Sequence, residues 1–138
     1  YIPIVMSIKQ QDLSFGFQRE DELFSKMKDK YGENIRKTNG KCRVDYESED
    51  VEVELKSRRN TYNKYPTTMI SKGKIDYMMN NNKRSFCAFC FTDGLYHIEI
   101  TPETISKFQL REGGRWDRGR AEVSLYYYIP IKMLELVE

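Results

Sequence analysis

The sequence has few of the residues that build disulfide frameworks, zinc centres and membrane spans. Its 138 residues include three cysteines and one histidine. A small, odd number of cysteines is typical of a reducing compartment. No apolar run approaches the roughly 18 residues of a membrane span, and no signal peptide is visible. The sequence therefore predicts an intracellular protein, cytoplasmic or in a nuclear or viral-host compartment, that is not secreted and has no membrane partner.

An excess of charge of one sign is also missing. The chain has 23 Lys and Arg against 21 Asp and Glu, which leaves a net charge of +2. Any affinity for nucleic acid must therefore come from local patches. Hydrophobic residues make up 39% and aromatic residues 13% of the chain, which is enough for a core and excludes a disordered chain. We expect one folded domain over residues 1–138.

A metal or redox site at the cysteines is a weaker interpretation than a structural role. Cys87 and Cys90 have C-x-x-C spacing, but the surrounding segment, Ser-Phe-Cys-Ala-Phe-Cys-Phe, is typical of a buried strand. Residues three apart on a strand point to opposite faces. A zinc site would also need a second ligand pair, for which only Cys42 and His97 remain. We expect the cysteines, and the lone histidine, to be structural.

What the sequence does contain is an acidic segment from Asp45 to Lys56, which reads D-Y-E-S-E-D-V-E-V-E-L-K. A hairpin with a two-residue loop at Glu49 and Asp50 would place Asp45 directly opposite Glu54. Because side chains alternate along a strand, Lys56 would share their face. The same register sorts the remaining residues into a charged face (Arg43, Glu47, Glu52) and an apolar face (Cys42, Val44, Tyr46, Val51, Val53, Leu55).

Two adjacent carboxylates on a rigid sheet suit a divalent cation. Oxygen ligands at a partly open site favour Mg²⁺ or Mn²⁺, and metal binding would relieve the repulsion between Asp45 and Glu54. Lys56 would orient an attacking water or stabilise developing negative charge on phosphate. The alternative is a solvated acidic face that ends in an ordinary lysine.

The charges that follow this segment change sign. Six acidic residues and no basic one lie in residues 45–54, and six basic residues and no acidic one lie in residues 55–75. Such a block could neutralise several phosphates. The basic residues are Lys56, Arg58, Arg59, Lys64, Lys72 and Lys74.

With Asp45, Glu54 and Lys56 in this order, the chain resembles the PD-(D/E)XK nuclease superfamily. It departs from the name-giving motif at Val44, where that pattern has proline. The resemblance implies an α/β (α+β) restriction-endonuclease-like αβββαβ core, with a central mixed sheet flanked by helices, here followed by a C-terminal β extension. It also implies Mg²⁺, with Mn²⁺ as substitute, held by Asp45, Glu54 and the Leu55 carbonyl.

The first helix offers one more acidic candidate. Phe17, Phe24, Met27 and Tyr31 mark its inner face, and Glu20 falls on the same stripe. The superfamily resemblance implies that an acidic residue of this helix joins the metal site. Alternatively, Glu20 simply reaches solvent at the helix start.

A second helix is expected to begin near Pro66 and to end at Asn80–Asn82. The resemblance implies that such a helix delivers a basic side chain, here Lys72 or Lys74, toward the scissile phosphate. Both could equally be surface lysines. Strands at residues 85–92 and 95–100 are expected to form a hairpin through Asp93-Gly94.

Residues 111–120 contain four arginines, three glycines and the only tryptophan, and they precede a β-prone segment at residues 123–131. They are interpreted either as a loop that contacts substrate through Arg115 and Arg118, or as a long hairpin turn.

Three functions are compatible with these patterns. The first is a Mg²⁺-dependent endonuclease that hydrolyses DNA by direct attack of a metal-activated water. The others are a non-catalytic nucleic-acid-binding domain of the same fold and a ribonuclease that acts on RNA. Cutting both strands would favour a homodimer, because one chain has one site. In the first case the DNA backbone would be held by Arg58, Arg59, Lys72, Lys74, Arg115 and Arg118.

Overall fold

A computed structural model describes residues 22–39, 44–115 and 122–137. Helix α1 covers residues 22–31. The predicted site residue Glu20 and Cys42 lie outside the described residues. The other elements are β1 (Arg36–Lys37), β2 (Tyr46–Glu47), β3 (Val51–Ser57), β4 (Thr67–Ser71), α2 (Lys72–Met79), β5 (Arg84–Phe91), β6 (Gly94–Glu99), α3 (Pro102–Ile105), β7 (Gln109–Arg115), β8 (Glu122–Pro130), a 3₁₀ turn (Ile131–Met133) and β9 (Glu135–Leu136).

Six of these strands form a central mixed sheet in the order β1-β2-β3-β5-β6-β9. β3 and β5 are parallel, whereas the other neighbours are antiparallel. The α1, β1 to β3, α2, β5 sequence of elements confirms the predicted αβββαβ core. β4, β8 and β7 form a second, three-stranded sheet, in which the predicted C-terminal β extension supplies two strands.

Both faces of the central sheet are covered. Alternate residues of β5 belong to different clusters, so Cys87 packs with α2 and the second sheet while Cys90 packs with α1. Both cysteines are buried. The expected structural placement of the C-x-x-C pair on opposite faces is therefore confirmed. No helix within the described ranges is long and apolar enough to cross a membrane.

The β2–β3 hairpin has the predicted register, with Tyr46 opposite Val53 and Glu47 opposite Glu52. Its turn is held by Ser48, whose Oγ accepts hydrogen bonds from the backbone N–H of Asp50 and Val51. The paired strand begins at Tyr46. The predicted placement of Val44 on the apolar face of this hairpin is therefore wrong, because Val44 packs in the cluster beneath α2.

The predicted start of the second helix near Pro66 is also wrong. Residues 67–71 form β4, which pairs with β8. Three of its five residues, Thr67, Thr68 and Ile70, are β-branched and suit a strand. The helix begins after Ser71, whose Oγ caps it by accepting from the Lys74 N–H. Its end at Asn80 agrees with the prediction.

The other predicted hairpins form with small differences. Phe91 pairs with Gly94, so the β5–β6 loop is Thr92-Asp93 and not Asp93-Gly94. Arg115 pairs with Glu122 at the far end of β7 and β8, which agrees with the hairpin interpretation of this segment. Residues 116–121, including the predicted Arg118, lie outside the described residues.

Candidate active site

The structure brings Asp45, Glu54 and Lys56 together at one edge of the β2–β3 hairpin. Glu54 and Lys56 share a face of β3, and Lys56 Nζ lies 3.3 Å from Glu54 Oε1. Asp45 lies just before β2, and its Oδ2 accepts a hydrogen bond of 2.8 Å from the Leu55 backbone N–H. Asp45 is thereby fixed next to Glu54, although it precedes the paired part of the strand.

Lys74 of α2 completes this group. Its Nζ lies 3.1 Å from Glu54 Oε2. The Ser71 cap fixes the first turn of α2, and buried Ile75 and Met78 hold the helix against the sheet. Lys72 does not take part, since it forms an ion pair of 2.6 Å with Asp76 one turn further along the helix. Of the two lysines that sequence reasoning left open, Lys74 is the one at Glu54.

Glu54 is the electrostatic centre of this arrangement. Only 5% of the residue is exposed. Burial is the main cause of its raised pKa, and the negative charge of Asp45 adds to the effect, while Lys74 and Lys56 oppose it. Lys74 Nζ lies 3.1 Å from Glu54 Oε2, and this oxygen accepts no hydrogen bond from any other described residue. The ion pair with Lys74 therefore satisfies it, and a divalent cation is a second kind of positive partner that suits a buried carboxylate.

A second glutamate, Glu52, lies on the same face of β3 and is 1% exposed. Its two oxygens accept hydrogen bonds from Ser85 Oγ at 2.7 Å and from Asn81 Nδ2 at 2.8 Å. The hairpin register predicts that Glu52 lies on the charged face but does not predict these two partners, because both follow α2 in the chain. Both oxygens of Glu52 thus accept a hydrogen bond from a neutral side chain, which is typical of a structural residue in the core.

The residues present fit a small divalent cation. Asp45, Glu54 and the Leu55 carbonyl are hard oxygen donors, and Glu54 Oε2 is a buried acceptor whose described partner is the cationic ammonium group of Lys74. Mg²⁺ commonly binds through one or two carboxylates and keeps several waters. Among the described residues, no group of three or more His, Cys, Asp or Glu is placed to hold a metal.

The arginines that the sequence predicts to bind DNA phosphates differ in their surroundings. Arg58 Nη2 donates to the Met69 carbonyl at 2.9 Å, and its guanidinium lies over the Phe89 ring, so it ties the end of β3 to β4. Burial lowers the pKa of Arg58. Arg59 is exposed just beyond β3. The assignment of these residues, and of Arg115 and Arg118, to phosphate binding stays a prediction.

The order of elements and the central mixed sheet define a restriction-endonuclease-like fold, in which Asp45, Glu54 and Lys56 lie close together. The sequence matches, over residues 12–137, a family described as "Phage putative PDDEXK endonuclease". The chain belongs to this PD-(D/E)XK family, which confirms the resemblance that Asp45, Glu54 and Lys56 indicated. No curated protein matches the chain.

Proposed function

We propose that the protein is a Mg²⁺-dependent endonuclease that hydrolyses DNA phosphodiester bonds, with Mn²⁺ as a substitute metal. The observation that carries this proposal is the buried Glu54 carboxylate, which Lys56 contacts at one oxygen and Lys74 at the other. A buried carboxylate must be hydrogen-bonded or paired with a positive charge, and the partners of Glu54 are the two lysines to which the proposed mechanism gives roles. Membership of the PDDEXK endonuclease family supports the same function.

In this proposal each residue has a separate role. Asp45, Glu54 and the Leu55 carbonyl hold the metal. A bound Mg²⁺ supplies Lewis acidity, which lowers the pKa of water and polarises a phosphoryl oxygen. Lys56 orients the attacking water and stabilises the charge that develops on phosphate. Lys74 favours the ionised form of Glu54, because its positive charge opposes the rise in pKa that burial causes. Glu20 is retained as a further acidic candidate.

The test is cleavage of supercoiled plasmid, single-stranded DNA and matched RNA with Mg²⁺, Mn²⁺ or EDTA. The native chain is compared with Lys56→Ala, which should abolish cleavage and leave DNA binding largely intact. Lys107→Ala, which removes an exposed lysine just beyond α3, is the matched control and should cut normally. A Lys56→Ala variant as active as the native chain would contradict the assignment. Cleavage of RNA in place of DNA would identify a ribonuclease, and salt-sensitive binding without any cleavage would favour the non-catalytic alternative.

We also propose that residues 1–138 act as one domain and that two copies cooperate when both strands are cut, since one chain provides one site. Sedimentation of the protein with and without duplex DNA tests the second point. A monomer that nevertheless makes double-strand breaks in one binding event would contradict it.

A further inference from the structure

A groove of about 850 Å³ adjoins the candidate site on the side of the second sheet. The open face of the β4-β8-β7 sheet forms part of its wall, and the segment after β3 forms another. Lys56, Tyr65, Met69, Ser71, Tyr126 and Tyr128 are among its lining residues.

The strand register explains which side chains reach this groove. Met69 is opposite Tyr128, and Ser71 is opposite Tyr126. Side chains alternate along a strand, so the intervening residues of β8, Tyr127 and Ile129, point to the other face, where Tyr127 packs against the core and Ile129 is buried in it. The two tyrosines of β8 therefore lie on the face that the core does not cover.

The lining combines positive charge with aromatic surface. It includes Lys56 and Arg58, and none of the described residues that line it is Asp or Glu. Tyr65 is 53% exposed, and Lys64 Nζ lies 5.5 Å from its ring centroid. At the sheet, the Arg111 guanidinium lies 4.0 Å from the Tyr128 ring centroid. Accessible aromatic rings next to cations, here exposed Tyr65 and half-buried Tyr128, are typical of sites for single-stranded nucleic acids, because bases stack on the rings and phosphates contact the charges.

The groove also reaches the catalytic group. Lys56 lines the groove and lies 3.3 Å from Glu54. Ser71 lines it too and caps the helix that carries Lys74. A strand lying along the tyrosines would therefore pass its backbone over the Lys56 end, where hydrolysis is proposed.

We propose that this groove binds an unpaired stretch of DNA and leads it to the site, so that the substrate is single-stranded DNA or DNA with a single-stranded segment. The inference rests on the proposed function and adds the substrate class to it. Duplex DNA would present its phosphates and leave Tyr65, Tyr126 and Tyr128 without bases to contact, since paired bases are stacked on one another. Unpaired bases are accessible to these rings.

The experiment measures binding by fluorescence anisotropy in EDTA, where no hydrolysis is expected. A labelled single-stranded oligonucleotide is compared with a blunt duplex of the same sequence at one salt concentration. The native chain should bind the single strand more tightly. Tyr65→Ala and Tyr128→Ala should each weaken single-strand binding roughly tenfold, because stacking on one aromatic ring is lost, with little change for duplex.

Three controls make this result specific. Tyr65→Phe and Tyr128→Phe keep the ring and should bind like the native chain. Leu125→Ala removes a similarly exposed side chain from the neighbouring position of β8, which points to the other face, and should have no effect. The inference fails if duplex binds as tightly as single strand, or if the alanine variants of Tyr65 and Tyr128 bind normally. If single-strand binding depends on the tyrosines but no DNA is cut, the proposed nuclease function alone is wrong. If DNA is cut but single-strand binding does not depend on the tyrosines, the proposed role of the groove alone is wrong.

Discussion

Glu52 and Glu54 lie two residues apart on the same face of β3, and both are buried with a raised pKa whose main cause is desolvation. Their partners differ. Glu52 accepts one hydrogen bond at each oxygen from the neutral side chains of Ser85 and Asn81. Glu54 is contacted by two lysines, Lys56 at one oxygen and Lys74 at the other.

The difference shows two ways in which one strand can keep a carboxylate out of water. Fixed neutral donors satisfy the group completely and leave no position for a ligand. The ammonium groups of Lys56 and Lys74 satisfy Glu54 by charge, and because both side chains are partly exposed, they can turn to water or phosphate when a metal ion binds the carboxylate. Burial and a raised pKa are common to both glutamates and therefore do not identify the site. The identity of the partners does.

The largest expected difference between Glu54 and Glu52 is in the cleavage rate after each carboxylate is replaced by a neutral amide. Glu54→Gln should lower the rate of plasmid cleavage by more than about a hundredfold, since the loss of even an outer-shell partner typically costs 10–100-fold. Glu52→Gln, the same substitution two residues earlier, should stay within about tenfold of the native rate because Glu52 contacts no metal in the proposed mechanism. Circular dichroism checks that both variants fold. Equal losses in the two variants would show that cleavage depends on the burial of charge and not on Glu54 itself.

Metal binding separates the two glutamates without any assay of activity. At a Mg²⁺ concentration about a hundred times its Kd, the native chain should gain about 2.7 kcal/mol in free energy of unfolding. Glu52→Gln should gain a similar amount, and Glu54→Gln should gain little. Thermal melting with Mg²⁺ or EDTA measures this. If Mg²⁺ stabilises Glu54→Gln but not Glu52→Gln, the metal ligand is Glu52 and not Glu54.

The closed network of Glu52 predicts a stability effect with no loss of cleavage. Ser85→Ala removes the donor at 2.7 Å and leaves a buried carboxylate oxygen without a partner, which should cost about 1–3 kcal/mol in free energy of unfolding. Ser57→Ala, at the exposed end of β3, should change it by less than about 0.5 kcal/mol. Urea denaturation measures both. The cleavage rate of Ser85→Ala should remain native below its unfolding transition, and a selective loss of activity would place Ser85 in the site.

The motif residues could be predicted from sequence because the hairpin that carries them is local. Period-two alternation fixes which side chains share a face, and the predicted register is present at Tyr46 and Val53. The partners of Glu54 and Glu52 were harder to predict. Lys74, Asn81 and Ser85 reach β3 only because β5 pairs parallel to it, which brings α2 across the sheet. Which lysine of the helix points inward depends on that packing.

The second sheet could not be predicted from local sequence patterns, for the same physical reason. β4 pairs with β8, and Thr67 is opposite Pro130, so its pairing partner lies far along the chain. A proline followed by a mixed apolar and basic segment also suits a helix start, and the tertiary contact decides between the two. Arg58 illustrates the consequence. The sequence places it in a basic block, whereas in the fold its guanidinium donates to the β4 backbone.

The smallest effect concerns the two lysines that sequence left undecided. Lys74→Met should lower the cleavage rate about tenfold, which corresponds to about 1.4 kcal/mol. The reason is that Glu54 loses a positive charge 3.1 Å away and the phosphate loses a nearby cation. The effect is modest because the Lys74 side chain is 22% exposed and water screens part of its charge.

Lys72→Met is the matched control on the same helix. Lys72 pairs with Asp76 at the surface, so its loss should leave the cleavage rate unchanged. Initial rates at saturating Mg²⁺ compare the two variants directly. If Lys72→Met lost activity and Lys74→Met did not, the ion pair between Lys74 and Glu54 would have only a structural role. The difference between Glu52, which is hydrogen-bonded by neutral side chains, and Glu54, which is paired with lysines, would then not identify the active site.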